Sequence, residues 1–356
     1  MPGHPDHVDG READGQLAAH FDSIPKDLVT ARLTEAPVQS PAPAPDVPEL
    51  GAPQYSGPKP PLYPSVPNSR PTVDADLFAA LLPDTVMDGA SAPGVTVRAA
   101  SVRGDSHRYH GEPRQDALGV ARITFPAAPQ QSGDGGEELL MLAVADGVGS
   151  AAQSHLGSNE VCRLAARYVR RAVSLPAVIR SGDGERFQEI ADTVVERISH
   201  ALSNAALDRG HEPGAYATTL RILLVPSDPS IRTRAFLAVG DGGTALLRGG
   251  FWYPDITAMS GDDTEMIDTR TAALPMSRTA QTRLIPARAG DVLVLATDGL
   301  SGPLAGDEEM REFLRAAWGD GTVPEPADFL WQFQYRVKSY DDDRTAVVLW
   351  EREEHA

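Results

Sequence analysis

The chain has 356 residues, 41% of them hydrophobic, and a formal net charge of −18. That allows one sizeable core plus an irregular extension, and the acidic balance argues against nucleic acid as the main partner. A single cysteine, Cys162, excludes an internal disulfide and a cysteine-based metal cluster, and no apolar run approaches the roughly 20 residues that cross a bilayer.

The first residues, Met1 to His7, have neither the charged start nor the apolar stretch of a secretory signal, so a cytoplasmic location is expected. Residues 1–93 read as a disordered, proline-rich N-terminal region, with prolines dense between Pro37 and Pro71. Within it, Leu17–Leu33 and Ala75–Leu82 are apolar enough for transient helices or docking. The arm is expected to tether a partner or shield a cleft. From Gly94 the pattern turns globular, which sets a folded domain at 94–351 and a polar tail at 352–356.

Val95–Val102 and Ala117–Phe125 read as strands. After a polar loop comes an unbroken apolar run, Leu139–Ala145, that ends in Asp146-Gly147-Val148-Gly149. Next, Val161, Leu164, Ala165, Tyr168, Val169 and Ala172 lie at helical spacing, with Arg163, Arg167, Arg170 and Arg171 off the stripe as a solvated face. Cys162 sits on the apolar side. A second helix carries Phe187, Ile190, Ala191, Val194, Val195, Ile198 and Leu202, and ends near Gly210.

Strands return at Ala217–Val225, Thr233–Val239 and Thr244–Leu247. The run Gly240 to Ala245 fits a dinucleotide fingerprint on paper, but strand and turn follow where a helix should open, so that reading is set aside. Residues 252–281 read as a polar flap. Thr282–Pro286 and Asp291–Thr297 are further strands, Asp307–Trp318 and Pro326–Lys338 further helices, and Thr345–Trp350 the closing strand. Strands, a helix pair, strands, then helices and a strand describe an α+β layered domain.

Asp146, Asp241, Asp298 and the Asp341–Asp343 triplet each stand at the end of a predicted strand. Two carboxylates about 4 Å apart repel by roughly 4 kcal/mol at an effective dielectric near 20, a cost that divalent cations remove. Oxygen-only ligands point to hard ions, magnesium or manganese, over zinc. Two such ions sharing a carboxylate and a water lower that water's pKa towards neutrality and aim hydroxide at an electrophile, most often phosphorus.

Asp146-Gly147-Val148-Gly149, Gly240-Asp241-Gly242, Asp298-Gly299 and Asp342-Asp343-Arg344-Thr345, in that order, resemble the signature of the metal-dependent protein phosphatases of the 2C type, or PPM family. Ser106-His107, Gln115-Asp116-Ala117 and Ala217-Thr218-Thr219-Leu220 resemble its bacterial branch. The resemblance runs from about Gly94 to Trp350. It implies a four-layer αββα sandwich, two antiparallel sheets flanked by helix pairs, and a protein serine/threonine phosphatase that hydrolyses phosphomonoesters by direct attack of a metal-bridging hydroxide. It further implies that Asp146 bridges two Mn2+ or Mg2+ ions, that the Gly147 carbonyl ligates one, that Asp298 and Asp342 hold the other, and that Asp241 matches a weaker third-metal position. Asp116, with Gln115, would act through metal-bound water.

Three departures stand out. Gly111 occupies the place of the family's usual phosphate-binding arginine, leaving Arg103, Arg108 and Arg114, or else His107, as candidates to bind phosphate. Val148 stands where some members carry a proton-donating histidine, which leaves His107 as the candidate acid. Asp343 replaces the usual asparagine. Phosphoserine and phosphothreonine proteins are the implied partners, with a serine/threonine kinase opposing, and no nucleic acid or membrane. Two rivals remain: a catalytically weak phosphatase fold that senses or binds a partner, and a two-metal nuclease or phosphodiesterase, against which the acidic balance weighs.

Overall fold

The computed structural model describes residues 55–57, 60–63, 81–126, 136–256 and 273–352, all within the unit Ala52–Ala356. The patch Leu17–Leu33, most of Ala75–Leu82 and residues 257–272 of the expected flap lie outside the described residues.

The sandwich is built around β5 (Glu138–Ala145). Its apolar run is continuous because both faces are covered. Leu139, Met141, Ala143 and Ala145 pack under helices, whereas Leu140, Leu142 and Val144 face the second sheet. With β4 (Ala117–Thr124), β6 (Leu220–Pro226), β7 (Thr233–Val239) and β10 (Gln281–Pro286) it forms a five-stranded sheet in the order β10-β7-β6-β5-β4. The second sheet has six strands: β2 (Thr85–Ala92), β3 (Val95–Val102), β8 (Gly243–Arg248), β9 (Phe251–Tyr253), β11 (Val292–Ala296) and β13 (Arg344–Glu351), in the order β2-β3-β13-β11-β8-β9. Every neighbouring pair in both sheets is antiparallel.

Two long helices cover the outer face of the first sheet, α2 (Ser154–Arg171) and α4 (Gly184–Leu207). Val161, Leu164, Ala165 and Val169 of α2 are buried, and Arg163, Arg167, Arg170 and Arg171 are exposed, as the spacing predicts. Cys162 is buried. Asp183 caps α4 by accepting from the Arg186 amide at 3.0 Å. The second sheet packs against α5 (Asp298–Gly306), α6 (Glu308–Trp318) and α7 (Pro326–Phe333). Four layers, helix, sheet, sheet and helix, result.

Several expectations are corrected. The boundary at residue 94 falls inside a hairpin, because β2 pairs along its whole length with β3 around Pro93-Gly94. The helix expected over Pro326–Lys338 stops at Phe333. Arg344, buried behind it, draws the Phe333 carbonyl at 3.1 Å and the Tyr335 carbonyl as well, and Arg336–Val337 (β12) instead pairs in parallel with β1 (Tyr55–Ser56). The short helices α1 (Asp105–His110) and α3 (Leu175–Ser181) were not anticipated. Nor was α5, which contains Gly299, Gly302 and Pro303.

Candidate active site

Register brings the chemistry to one end of the sandwich. Ala117 pairs with Ala145, so Asp116 and Asp146 flank neighbouring strand ends. In the other sheet Ala296 pairs with both Ala346 and Gly243, which sets Asp298, Asp343 and the Asp241 turn on the matching edge. Val102 pairs with Arg344, so α1 with His107 hangs over the same end.

The carboxyls form a graded cluster. Asp116 and Asp343 are buried at 1% and 2% exposure; Asp146 is half-buried, and Asp241, Asp298 and Asp342 face solvent. Asp146 is the hub. Burial first, then the charges of Asp116 and Asp298 and a hydrogen bond with the Asp298 carboxyl, push its pKa well above the usual carboxylate range. Asp116 is raised likewise by burial and by Asp343, against hydrogen bonds from Thr345 and Thr297, the latter at 2.8 Å. Burial and then Asp298 raise Asp241. Asp342 is raised by burial, offset in part by the Asp343 amide, with Asp343 adding its charge.

The backbone is fixed tightly around the hub. The Asp146 carbonyl accepts from the Thr219 amide at 2.8 Å and the Thr218 hydroxyl at 2.7 Å, and the Asp146 amide donates to the Thr219 hydroxyl at 3.0 Å. A Cβ on Gly147 would stand 2.8 Å from the Ser154 Cβ and 2.9 Å from the Gln115 carbonyl, so only glycine fits beneath α2. Gly299 is tighter still: a Cβ would meet the Asp343 carbonyl at 1.9 Å.

Asp343 is a structural centre. Its Oδ1 accepts from the Gly104 amide at 2.6 Å and from His107 Nδ1 at 2.9 Å, and its Oδ2 from the amides of Gln115 and Asp116. Burial raises its pKa, but the His107 hydrogen bond and charge and the Gly104 and Gln115 amides outweigh it and leave it lowered. Burial works against the His107 imidazolium, yet Asp343, Asp342 and Glu112 raise its pKa to about 9. Nε2 of His107 lies 3.8 Å from both Asp342 and Glu112.

The sequence-predicted residues thus separate. Asp116, Asp146, Asp241, Asp298 and Asp342 are brought together, with Gly147 beside them and His107 at the rim. The candidate phosphate-binding arginines are engaged by the protein. Arg108 forms a bidentate pair with Asp84 at 2.9 and 2.7 Å. Buried Arg114 donates to the Ser101 hydroxyl at 2.5 Å and to the Asp116 carbonyl, and buried Arg103 donates to the His107 carbonyl at 2.9 Å. Gln115 Oε1 accepts from the Ser154 hydroxyl at 2.8 Å. Arg221, Thr297 and Ser154 were missed; only Arg221 left a signal, as a charge breaking the apolar run Leu220–Val225.

The donors fit a hard divalent cation: oxygen atoms from several strand ends, crowded enough to lift one another's pKa. One atom each of His107, Asp342 and Asp343 lie within 4.8 Å of one another. That trio contains an imidazolium already neutralising a carboxylate, so it is a poorer cation site than Asp146 with Asp298.

A family model described as protein phosphatase 2C matches residues 103–327. The chain belongs to the protein phosphatase 2C family. It is therefore a metal-dependent phosphatase by family, on the α+β sandwich described above. No curated protein matches it. Among solved structures it is similar to the catalytic domain of the serine/threonine protein phosphatase PstP in complex with two manganese ions and to the Mycobacterium tuberculosis phosphatase PstP/Ppp. Each is 22% identical over 73% of this chain and 99% of the other, with a TM-score of 0.46. PppA of Pseudomonas aeruginosa is 20% identical over 74% and 99%, with a TM-score of 0.43. No described helix of this protein phosphatase 2C member is long and apolar enough to cross a membrane.

Proposed function

We propose that the chain hydrolyses phosphoserine and phosphothreonine on proteins at the Asp146–Asp298 cleft, with magnesium or manganese as cofactor. The observation that carries this is the hydrogen-bonded pair of carboxyls, Asp146 and Asp298, delivered from different sheets and joined by Asp342 and Asp241. A bound pair of such ions supplies a water acidic enough to attack phosphorus at neutral pH.

The chain's own residues do the rest. Asp146, Asp298 and Asp342, with the Gly147 carbonyl, are the proposed ligands, and Asp241 a weaker one. Asp116 sits behind Asp146, held by Thr297, and orients the inner side of the cleft. His107 is fixed through Nδ1 by Asp343 and protonated at neutral pH, so Nε2 is the proposed proton donor to the departing serine or threonine oxygen. No protein nucleophile is required and no phosphoenzyme forms. A kinase that phosphorylates the same proteins is the proposed opposing partner, in the cytoplasm.

In the test, Asp146→Asn and Asp298→Asn each lower manganese-dependent hydrolysis of a phosphothreonine peptide more than about a hundredfold, since loss of outer partners alone costs about 10–100-fold. Retained activity in both contradicts the assignment. The engaged state of Arg108 and Arg114 favours one alternative, a phosphatase fold that binds a partner and turns over little. It predicts no hydrolysis of any phosphopeptide by the unaltered chain.

A further inference from the structure

Arg221 occupies a place where the fold calls for an aliphatic side chain. On β6, Leu220, Ile222 and Leu224 face the helices, and Arg221 alternates with them, on the side of Leu223 and Val225 between the sheets. It is 6% exposed, with the Phe236 ring centroid 5.9 Å from its guanidinium carbon. A guanidinium there costs more to desolvate than leucine would.

Its donors meet one turn and the start of β8. Nε donates to the Asp241 carbonyl at 3.0 Å, and Nη2 to the Gly242 carbonyl at 2.9 Å and the Gly240 carbonyl at 3.4 Å. Nη1 reaches the Thr244 hydroxyl at 3.4 Å. The turn is shaped to receive it. Gly240 and Gly242 have φ of 85° and 102°, conformations that glycine adopts without strain. A Cβ on Gly242 would stand 2.7 Å from Arg221 Nε and 2.8 Å from the Ala296 carbonyl, two residues before Asp298.

We propose that Arg221 is the positioning residue of the Asp241 turn: it gathers three successive carbonyls inward so that the Asp241 carboxyl is presented to the cleft beside Asp298. This rests on the reading of Asp241 as part of the cation site. Arg221 acts on the site through these carbonyls.

The test uses the full chain with Arg221→Met, Arg221→Lys, Asp241→Asn and the Arg221→Met/Asp241→Asn double variant. Arg221→Met is expected to speed amide exchange at residues 240–244 of the metal-free chain by about tenfold or more, leaving β5 and β13 unchanged. Manganese binding, followed by electron paramagnetic resonance, weakens about tenfold, within the range of outer-shell losses. The manganese midpoint for hydrolysis rises in parallel, with a smaller change in rate at saturation. Asp241→Asn gives the same binding loss, the double variant adds none, and Arg221→Lys, which reaches fewer carbonyls, falls between.

Exchange that rises uniformly across both sheets, or additive losses in the double variant, overturns the proposal. Should the unaltered chain bind no manganese, the metal-site reading fails, and exchange at 240–244 alone decides the role of Arg221. If Arg221→Met does not fold, Arg221→Lys and Asp241→Asn carry the same comparison.

Discussion

Asp343 shows how a single buried carboxylate sets the local electrostatics. An asparagine offers one acceptor oxygen; the carboxylate here offers two, and both are used, on Gly104 and His107 and on Gln115 and Asp116. The pair with His107 has a pH signature. The folded-state pKa of His107 is raised from 6.5 to about 9, so its stabilisation is full below pH 6.5 and is lost as pH rises through 9. At about 1.4 kcal/mol per pH unit the pair contributes at most about 3 kcal/mol. In chelator-treated protein, the stability gap between the unaltered chain and His107→Gln, followed by urea unfolding, should be widest at pH 6 and close by pH 9.5. A gap independent of pH contradicts the pairing. Asp146, Asp241 and Asp298 were legible in the sequence because each follows an apolar run with glycine beside it, and Asp342 because it stands just before one. The partners of Asp343 and Arg221 were not, since the donors to Asp343 come from more than 220 residues away in the chain and the acceptors of Arg221 are backbone carbonyls, which no side-chain pattern marks.

At the scale of elements, legibility followed periodicity. The two long helices α2 and α4 declare themselves by stripes of buried residues. Helix α5 does not, because Gly299, Gly302 and Pro303 are poor helix formers, and close packing against Asp343 and Tyr340 selects the two glycines. Strand β2 has no alternating pattern, being an edge strand defined by β3 alone. The parallel pair of β1 with β12 was invisible for a like reason. Ser56 is buried and donates its hydroxyl to Asp307 Oδ1 at 2.8 Å, while the Lys338 amide donates to the Ser56 carbonyl at 3.1 Å. Nearby, the Tyr63 ring lies 5.5 Å from those of Tyr109 and His110 on α1, the helix that carries His107. A carboxylate at position 56 would face Asp307 at a repulsion of about 4 kcal/mol at 4 Å and an effective dielectric of 20. Ser56→Asp should therefore release β1, seen as faster amide exchange at Lys338 and across α1, and Ser56→Asp with Asp307→Asn should restore protection. Unchanged exchange in Ser56→Asp argues against the docking.

At the largest scale, the sandwich formed by the described residues has a distinct chemistry at each end. The cleft end gathers carboxyls that repel. The far end is tied by a bidentate pair between the sheets, Arg234 to Glu351 at 2.6 and 2.9 Å, both side chains buried, with Arg232 3.4 Å away. Leaving one of these charges unpaired costs about 3–5 kcal/mol, whereas apolar replacement of both is close to neutral. Glu351→Leu should lower the denaturation midpoint sharply, and Arg234→Met with Glu351→Leu should recover most of it. Equal losses in the two would mean that the pair is not what joins the sheets there.

If carboxyls from the two sheets enclose a pair of divalent cations, anomalous diffraction at the manganese edge from crystals grown with manganese will locate them. Peaks are expected within about 2–2.5 Å of Asp146 and Asp298 oxygens, with Asp342 and the Gly147 carbonyl alongside. Empty density at that position, or peaks confined to His107, Asp342 and Asp343, would contradict that arrangement.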